Sequence, residues 1–94
     1  MLCVAPFDSE EEAIALANDS VYGLTSYVQT SDAQRARRVS RRLRAGMVVV
    51  NGARRASGMP FGGVKQSGNG REAGEMGFKE YLECKAVSGW PPEE

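Results

Sequence analysis

The 94-residue chain carries 12 basic and 12 acidic residues, for a formal net charge of zero, and 41% of its residues are hydrophobic. This balance argues against a nucleic acid or a charged membrane surface as an electrostatic partner. No stretch reaches the roughly 20 apolar residues of a membrane span, and residues 1–5 lack the basic start of a secretory signal. We therefore expect a cytoplasmic protein with no membrane partner, in which Cys3 and Cys84 stay reduced.

Histidine is absent from the sequence. A Ser-His or Cys-His nucleophilic pair and a histidine metal site are therefore excluded. Cys84 lies between Glu83 and Lys85 with no general base at a useful spacing, so its thiol lacks an activating partner. We predict no catalytic residue and no metal site.

The chain begins with the pattern of a strand followed by a helix. Residues 2–5 form a short apolar run that ends at Pro6. Ser9 and Glu12 then have the capping-box spacing that starts a helix. Residues 24–29 follow as a second predicted strand, because Tyr and Val residues favour extended structure.

A second helix is predicted over residues 33–44, with Ser31 and Asp32 as candidate caps. Gly46 occupies the position at which a left-handed residue commonly ends a helix. The continuous apolar run 47–50 is typical of a strand covered on both faces. The sum is a β-α-β-α-β order, which predicts the α/β class with a parallel or mixed sheet.

The second half of the chain changes character. Residues 51–70 show no periodicity and are rich in glycine, and a segment of this length indicates either a functional loop or a misassigned element. A helix is predicted over residues 71–82, weakened by two internal glycines, and a last strand over residues 83–88. The prolines that follow end regular structure.

Two alternative interpretations of charged and glycine-rich segments fail. The glycines at 68, 70 and 74 miss the spacing of a dinucleotide-binding turn, and no strand leads directly into them. The second predicted helix is dense in arginine, but a nucleic-acid site would also require aromatic residues or a groove-entering motif. A solvated helix face, pairing with acidic groups elsewhere, is the favoured interpretation of the six arginines: Arg35, Arg37, Arg38, Arg41, Arg42 and Arg44.

The glycine-rich loop carries a recognisable signature. It resembles the C-terminal signature of the aldehyde dehydrogenase superfamily, and the upstream and closing segments agree with it in collinear order. The matching motifs are Val50-Asn51-Gly52, Pro60-Phe61-Gly62-Gly63-Val64-Lys65-Gln66-Ser67-Gly68, Gly70-Arg71-Glu72, Tyr22-Gly23-Leu24 and Glu80-Tyr81-Leu82-Glu83-Cys84-Lys85.

The resemblance implies a division into three parts. Residues 1–51 would be the C-terminal part of the catalytic domain, residues 52–70 the substrate-anchoring loop, and residues 71–94 a helix and an oligomerisation strand. Ala53, Arg54, Arg55 and Phe61 would line the aldehyde tunnel. Either arginine could bind the distal carboxylate of a semialdehyde, although both facing solvent is an equal alternative.

Arg71 and Glu83 match family positions that join a polar network near the subunit interface. The family's catalytic cysteine, general base and NAD- or NADP-binding domain would all lie upstream of the residues present here. The resemblance thus implies a C-terminal fragment of an NAD(P)-dependent aldehyde dehydrogenase, inactive alone and binding no cofactor itself. Its partners would be an aldehyde in the intact enzyme and other subunits or the rest of the enzyme. The alternative is a non-catalytic interaction module that docks on a full-length homologue through its terminal strand.

Overall fold

A computed structural model describes residues 1–93 of the chain. Along the chain, the first half contains α1 (Glu10–Asn18), β1 (Tyr22–Gly23), β2 (Thr25–Val28), α2 (Ala33–Arg42) and β3 (Met47–Val50). The second half contains β4 (Val64–Lys65) and α3 (Gly74–Lys79). Strands and helices alternate, which confirms the α/β class.

The central pairing is parallel, as predicted. β2 and β3 lie side by side with Thr25 opposite Met47 and Val28 opposite Val50, and α2 forms the crossover between them. A second, antiparallel pair joins β1 to β4, with Gly23 opposite Val64. β4 therefore interrupts the segment 51–70, in which the sequence predicted no regular structure.

The caps of the first two helices follow the sequence. Ser9 Oγ accepts a hydrogen bond from the Glu12 amide at 3.1 Å, as the capping-box spacing predicts. Asp32 Oδ1 accepts from the amides of Gln34 and Arg35 at 2.9 and 3.1 Å, so Asp32 is the cap of α2. α2 ends at Arg42, two residues earlier than predicted, because Leu43 already has an extended backbone.

The core is very small. Ile14, 4% exposed, is the one buried large hydrophobic side chain among residues 1–93. The radius of gyration is 18.7 Å, whereas a compact domain of this length would have about 12 Å. The chain therefore covers little of its own apolar surface.

Both terminal strands predicted from the sequence are absent. Residues 1–7 and 83–93 contain no helix or strand, and they are exposed throughout. A strand needs a neighbour that satisfies its backbone N–H and C=O groups, and no other described strand lies beside either segment. The apolar pattern was present, but the pairing partner was not.

Three further predictions need correction. β3 is half-buried along its whole length and is not covered on both faces, since no second layer lies opposite α2. The helix predicted over 71–82 is reduced to α3, which begins at Gly74 because its N-cap Ala73 and Gly74 itself have positive φ angles of 66° and 67°. Gly46 is not left-handed. It is required because a Cβ atom there would overlap the carbonyl of Gly62.

No helix among residues 1–93 has the length and apolar character needed to cross a membrane. Cys3 and Cys84 are both free and exposed, which agrees with the prediction of reduced thiols.

Candidate functional site

The candidate site is the segment between β3 and β4, residues 52–63, called here the anchoring loop. Its first end is fixed by Asn51, whose side chain makes two reciprocal hydrogen bonds with the Thr30 backbone. Asn51 Oδ1 accepts from the Thr30 amide and Asn51 Nδ2 donates to the Thr30 carbonyl, each at 2.9 Å. Asn51 has a φ of 51°, a left-handed conformation that asparagine tolerates better than most residues. The loop therefore leaves β3 from a fixed point.

The other end of the loop is fixed by backbone pairing and by Arg71. Phe61 and Glu72 exchange two backbone hydrogen bonds of 2.8 Å each. Arg71 Nη1 donates to the carbonyls of Gly63 at 2.7 Å and of Gly70 at 2.8 Å. The C-terminal end of the loop is thus hydrogen-bonded to the segment that precedes α3.

Between these two ends, Arg55 lies over the ring of Phe61. The guanidinium carbon is 5.6 Å from the ring centroid, within the range of a cation–π contact. Met47 and Glu72 join these two residues around a shallow depression of about 350 Å³. Arg55 has no ion-pair partner among residues 1–93, so its fork of N–H donors is available to an anionic group.

The four residues predicted to line an aldehyde tunnel do not all meet. Arg55 and Phe61 form one wall of the depression, which Ala53 and Arg54 do not line, although residues 53–55 are all exposed. Phe61 also borders a second depression of about 420 Å³ with Arg71 and Tyr81. The structure therefore groups Arg55 with Phe61 and separates Arg54 from them.

The two residues predicted near a subunit interface lie in different surroundings. Arg71 is half-buried and bonded to backbone carbonyls. Glu83 is exposed in the segment after α3. No ion pair joins the two residues in the described part of the chain.

Three arginines of α2 pair with acidic side chains of α1, as the solvated-face interpretation predicted. Arg38 and Arg42 form bidentate ion pairs with Glu10 and Glu11 of α1, and Arg35 lies 3.5 Å from Glu10. The hydrogen bond from Arg38 lowers the pKa of Glu10, and that from Arg42 lowers the pKa of Glu11. These charges hold two helices together at a distance from the anchoring loop.

The glycines of residues 62–70 differ in how closely the rest of the chain packs against them. A phosphate-binding turn uses its glycines to bring the backbone close to a pyrophosphate at a helix N-terminus. A Cβ at Gly63 would lie 2.6 Å from the Ser67 Cβ, and one at Gly62 would lie 2.8 Å from the Arg71 Cδ, whereas a Cβ at Gly68 or Gly70 would meet nothing within 4 Å. Residues 1–93 also contain no group of three potential metal ligands.

The structural roles of two residues, Asn51 and Lys65, were not predicted from the sequence. Asn51 was noted only as part of a motif, although its left-handed backbone and side-chain bonds define the start of the loop. Lys65, also left-handed with a φ of 54°, donates from Nζ to the carbonyls of Asn18 and Ser20. An Asn-Gly pair after a strand is a turn signal that could have identified the first. No local signal identifies the second, because its partners lie more than 40 residues away.

Comparison with known proteins agrees with this geometry. Over 90 residues the chain is 54% identical to 3-succinoylsemialdehyde-pyridine dehydrogenase of a Pseudomonas species, covering 96% of this chain and 19% of the relative. It is 48% identical over 95 residues to the peroxisomal aminoaldehyde dehydrogenase 2 of Pisum sativum, again covering 19% of that protein. The chain thus spans about a fifth of the length of these curated relatives.

Solved structures show the same relationship. A mutant of aldehyde dehydrogenase C from Pseudomonas syringae, in complex with NAD+ and octanal, superposes with a TM-score of 0.91 at 50% identity. The alignment covers 99% of this chain and 19% of that chain. An aldehyde dehydrogenase of Bartonella henselae gives a TM-score of 0.85 at 52% identity, covering 90% and 18%.

Residues 1–87 match the model of the aldehyde dehydrogenase family. The match includes the anchoring loop and both of its fixed ends. The chain belongs to the aldehyde dehydrogenase family.

Proposed function

We propose that this chain supplies one wall of the aldehyde pocket to an NAD(P)-dependent aldehyde dehydrogenase, and that it has no dehydrogenase activity by itself. The observation that carries the proposal is the Arg55–Phe61 pair, held on a loop that is fixed at both ends. A fixed loop places a ligand-contacting side chain reproducibly, which is what orientation of a substrate requires. Oxidation of the aldehyde to a carboxylic acid would use a nucleophile, a base and a cofactor supplied outside these residues.

The chemistry of the chain supports a binding role over a catalytic one. The sequence has no histidine to act as a base. Cys84 is exposed on a segment without helix or strand, and no described feature directs it toward the anchoring loop. A catalytic thiol needs a group that stabilises its thiolate near the substrate.

The exposure of apolar surface supports the view that the chain works as part of a larger assembly. With Ile14 the one buried large hydrophobic side chain among residues 1–93 and a radius of gyration of 18.7 Å, most large hydrophobic side chains remain in solvent. Contiguous apolar surface on a soluble protein is normally covered by a partner. We propose that the rest of the enzyme covers it, with residues 1–51, 52–70 and 71–94 retaining the three roles given above.

The assembled enzyme is proposed to use NAD or NADP and to act as a homo-oligomer in the cytoplasm. The names of two relatives indicate different aldehyde substrates, an aminoaldehyde and a pyridine-containing semialdehyde. Arg55 favours an aldehyde that carries a negative charge at its far end.

The proposal is tested with a chimeric enzyme. In 3-succinoylsemialdehyde-pyridine dehydrogenase of the Pseudomonas species, the fifth of the sequence that matches this chain is replaced by this chain. Reduction of NAD+ or NADP+ by the chimera is then followed by absorbance with a panel of aldehydes. We expect an active chimera, no activity from this chain alone, and no activity from the relative with its matching segment deleted. Turnover by this chain alone would contradict the proposal, as would a folded but inactive chimera.

A second candidate function rests on a separate observation. Residues 83–93 contain no helix or strand and are exposed, and Tyr81 and Trp90 are 88% and 77% exposed. Such a segment can add to a sheet edge of another protein. If this chain were an interaction module, it would bind an intact relative in size-exclusion chromatography, and deletion of residues 83–93 would abolish the binding. Failure of the intact chain to co-elute would reject this alternative.

A further inference from the structure

Lys65 connects the return of the anchoring loop to the far end of α1. Its Nζ atom donates to the carbonyl oxygens of Asn18 at 2.9 Å and of Ser20 at 3.0 Å. These carbonyls lie at and just beyond the C-terminus of α1. The contact spans 45 and 47 positions of sequence, so it is a tertiary contact and not a local turn.

The electrostatics of α1 explain why a lysine is favoured there. Three glutamates occupy the first turn of α1, where they complement the positive end of the helix dipole, but the last turn has no basic residue. A cation near the last carbonyls of a helix stabilises the negative end. Lys65 supplies this missing charge from a different part of the chain.

The backbone conformation of Lys65 is also unusual. Its φ of 54° lies in the left-handed region, which non-glycine residues rarely occupy and glycine occupies without cost. In this conformation Lys65 still pairs with Tyr22 in the β1–β4 ladder, while its side chain reaches α1. A lysine at a position that favours glycine indicates that the side chain contributes something a glycine cannot.

The site of attachment is close to the pocket wall in sequence and in space. Lys65 follows Phe61 by only four residues, and the glycines between them are crowded: a Cβ at Gly63 would lie 2.6 Å from the Ser67 Cβ and 3.2 Å from the Gly23 carbonyl oxygen. Ser67 Oγ in turn accepts the Gly23 amide at 2.9 Å. In such tight packing, a shift at Lys65 has little room to be absorbed before it reaches Phe61.

We propose that Lys65 is a positioning residue for the aldehyde, which acts by holding the Phe61 end of the anchoring loop against α1. This inference rests on the proposed role of the loop in the aldehyde pocket. It assigns to Lys65 no contact with the substrate. Its effect on the substrate is through the placement of Phe61 and Arg55, because small misplacements of binding groups lower catalytic efficiency.

The test uses the active chimera described above. In Lys65→Met the aliphatic side chain is kept and the charge and donors are lost. We expect the KM for aldehyde to rise about fivefold, in the range of losing an exposed charge-assisted hydrogen bond. The KM for NAD+ should stay unchanged, because the cofactor site lies outside this chain. Lys65→Arg, which keeps a charge and donors, should restore most of the aldehyde KM.

Lys79→Met is the matched control. Lys79 is also an exposed lysine, and its ion pair with Glu75 is an i,i+4 contact within α3. It should leave both KM values unchanged. If Lys65→Met behaves like Lys79→Met, or lowers the melting temperature and changes every kinetic parameter together, the positioning role is rejected.

A second readout does not depend on activity. Arg54 and Arg55 provide trypsin sites within the anchoring loop, and mass spectrometry can follow cleavage after each of them. The Lys65→Met chimera should be cut there several-fold faster than the parent and the Lys79→Met control, because the loop has lost one attachment. Equal cleavage rates would overturn the inference, whereas an inactive parent chimera would count against the proposed function alone.

Discussion

Arg38 of α2 and Glu10 of α1 form a bidentate ion pair, with Nε–Oε2 and Nη2–Oε1 distances of 2.7 and 2.8 Å. The two residues are 28 positions apart, so this pair joins two helices that flank β1 and β2 along the chain. The Arg42–Glu11 pair repeats the arrangement one turn further along α2. A double pair of fixed geometry orients helices more firmly than a single flexible contact.

The first prediction concerns the pH dependence of this helix pairing. The pKa of Glu10 and that of Glu11 are lowered below their ordinary value of 4.5, chiefly by the hydrogen bonds from Arg38 and Arg42. A lowered carboxyl pKa contributes stability that is present above pH 4.5 and is lost as pH falls through the lower, folded-state value. In the chimeric enzyme, Glu10→Gln should therefore lower the melting temperature at pH 7 and have a smaller effect near pH 4.

The control for this experiment is Glu75→Gln. Glu75 pairs with Lys79 in a single helix, and both side chains are more than 60% exposed. Such exposed pairs contribute little to stability. A difference between Glu10→Gln and the parent that stays constant from pH 7 to pH 4 would contradict the assignment of the pairing to the ionised carboxylate.

The second prediction concerns the core. Ile14→Ala in the chimera should destabilise this part of the protein by about 2–4 kcal/mol, the usual range when a buried isoleucine is truncated. Leu16→Ala on the same helix is the control, since Leu16 is 45% exposed and should cost much less. The midpoint of urea denaturation measures both. Equal shifts for the two variants would show that partner surfaces cover Leu16 as well.

The third prediction concerns the start of the anchoring loop. Asn51 contributes both a left-handed backbone and two side-chain hydrogen bonds, and three substitutions separate these effects. Asn51→Gly keeps the backbone and loses the bonds, Asn51→Ala loses both, and Asn51→Asp keeps only the acceptor for the Thr30 amide. The aldehyde KM of the chimera should rise in the order Asp, Gly, Ala, with about a tenfold span between parent and Ala if the lost terms sum to roughly 1–2 kcal/mol. Gly and Ala variants with equal KM would show that the backbone conformation has no part in the effect.

The fourth prediction concerns substrate charge. Arg55→Met removes the guanidinium over Phe61 but keeps an apolar cover on the ring. We expect kcat/KM to fall about tenfold or more for an aldehyde with a distal carboxylate, since a charge-assisted bond is lost, and to change little for a neutral aldehyde of equal length. Arg54→Met is the control, because Arg54 lies outside the depression. Equal losses with charged and neutral aldehydes would reject carboxylate recognition by Arg55.

Local sequence signals accounted for the parts of the fold that depend on neighbouring residues. The caps at Ser9 and Asp32 use partners two or three residues away, so their spacing was sufficient to predict them. The parallel pairing of β2 and β3 followed from the short helix between them, which leaves few other topologies. The signature around Phe61 was enough to identify the family, as the match over residues 1–87 confirms.

The prediction of a strand at each end of the chain was wrong for a physical reason. An apolar run such as residues 2–5 has the propensity for a strand, but a strand exists only when another backbone satisfies its hydrogen bonds. No described strand lies beside residues 2–5 or 83–88, so both segments form no strand and are exposed. Propensity is a property of the segment, whereas pairing is a property of its surroundings.

The sequence by itself therefore determined the α/β class, the parallel β2–α2–β3 unit, the helix caps and the family. Only the tertiary structure decided which arginine lies over Phe61. It also decided that Lys65 donates a hydrogen bond to the last residue of a helix 47 positions upstream. Arg54 and Arg55 are adjacent and chemically identical, so nothing local distinguishes them. The separation comes from the path of the loop, which is set by contacts at both of its ends.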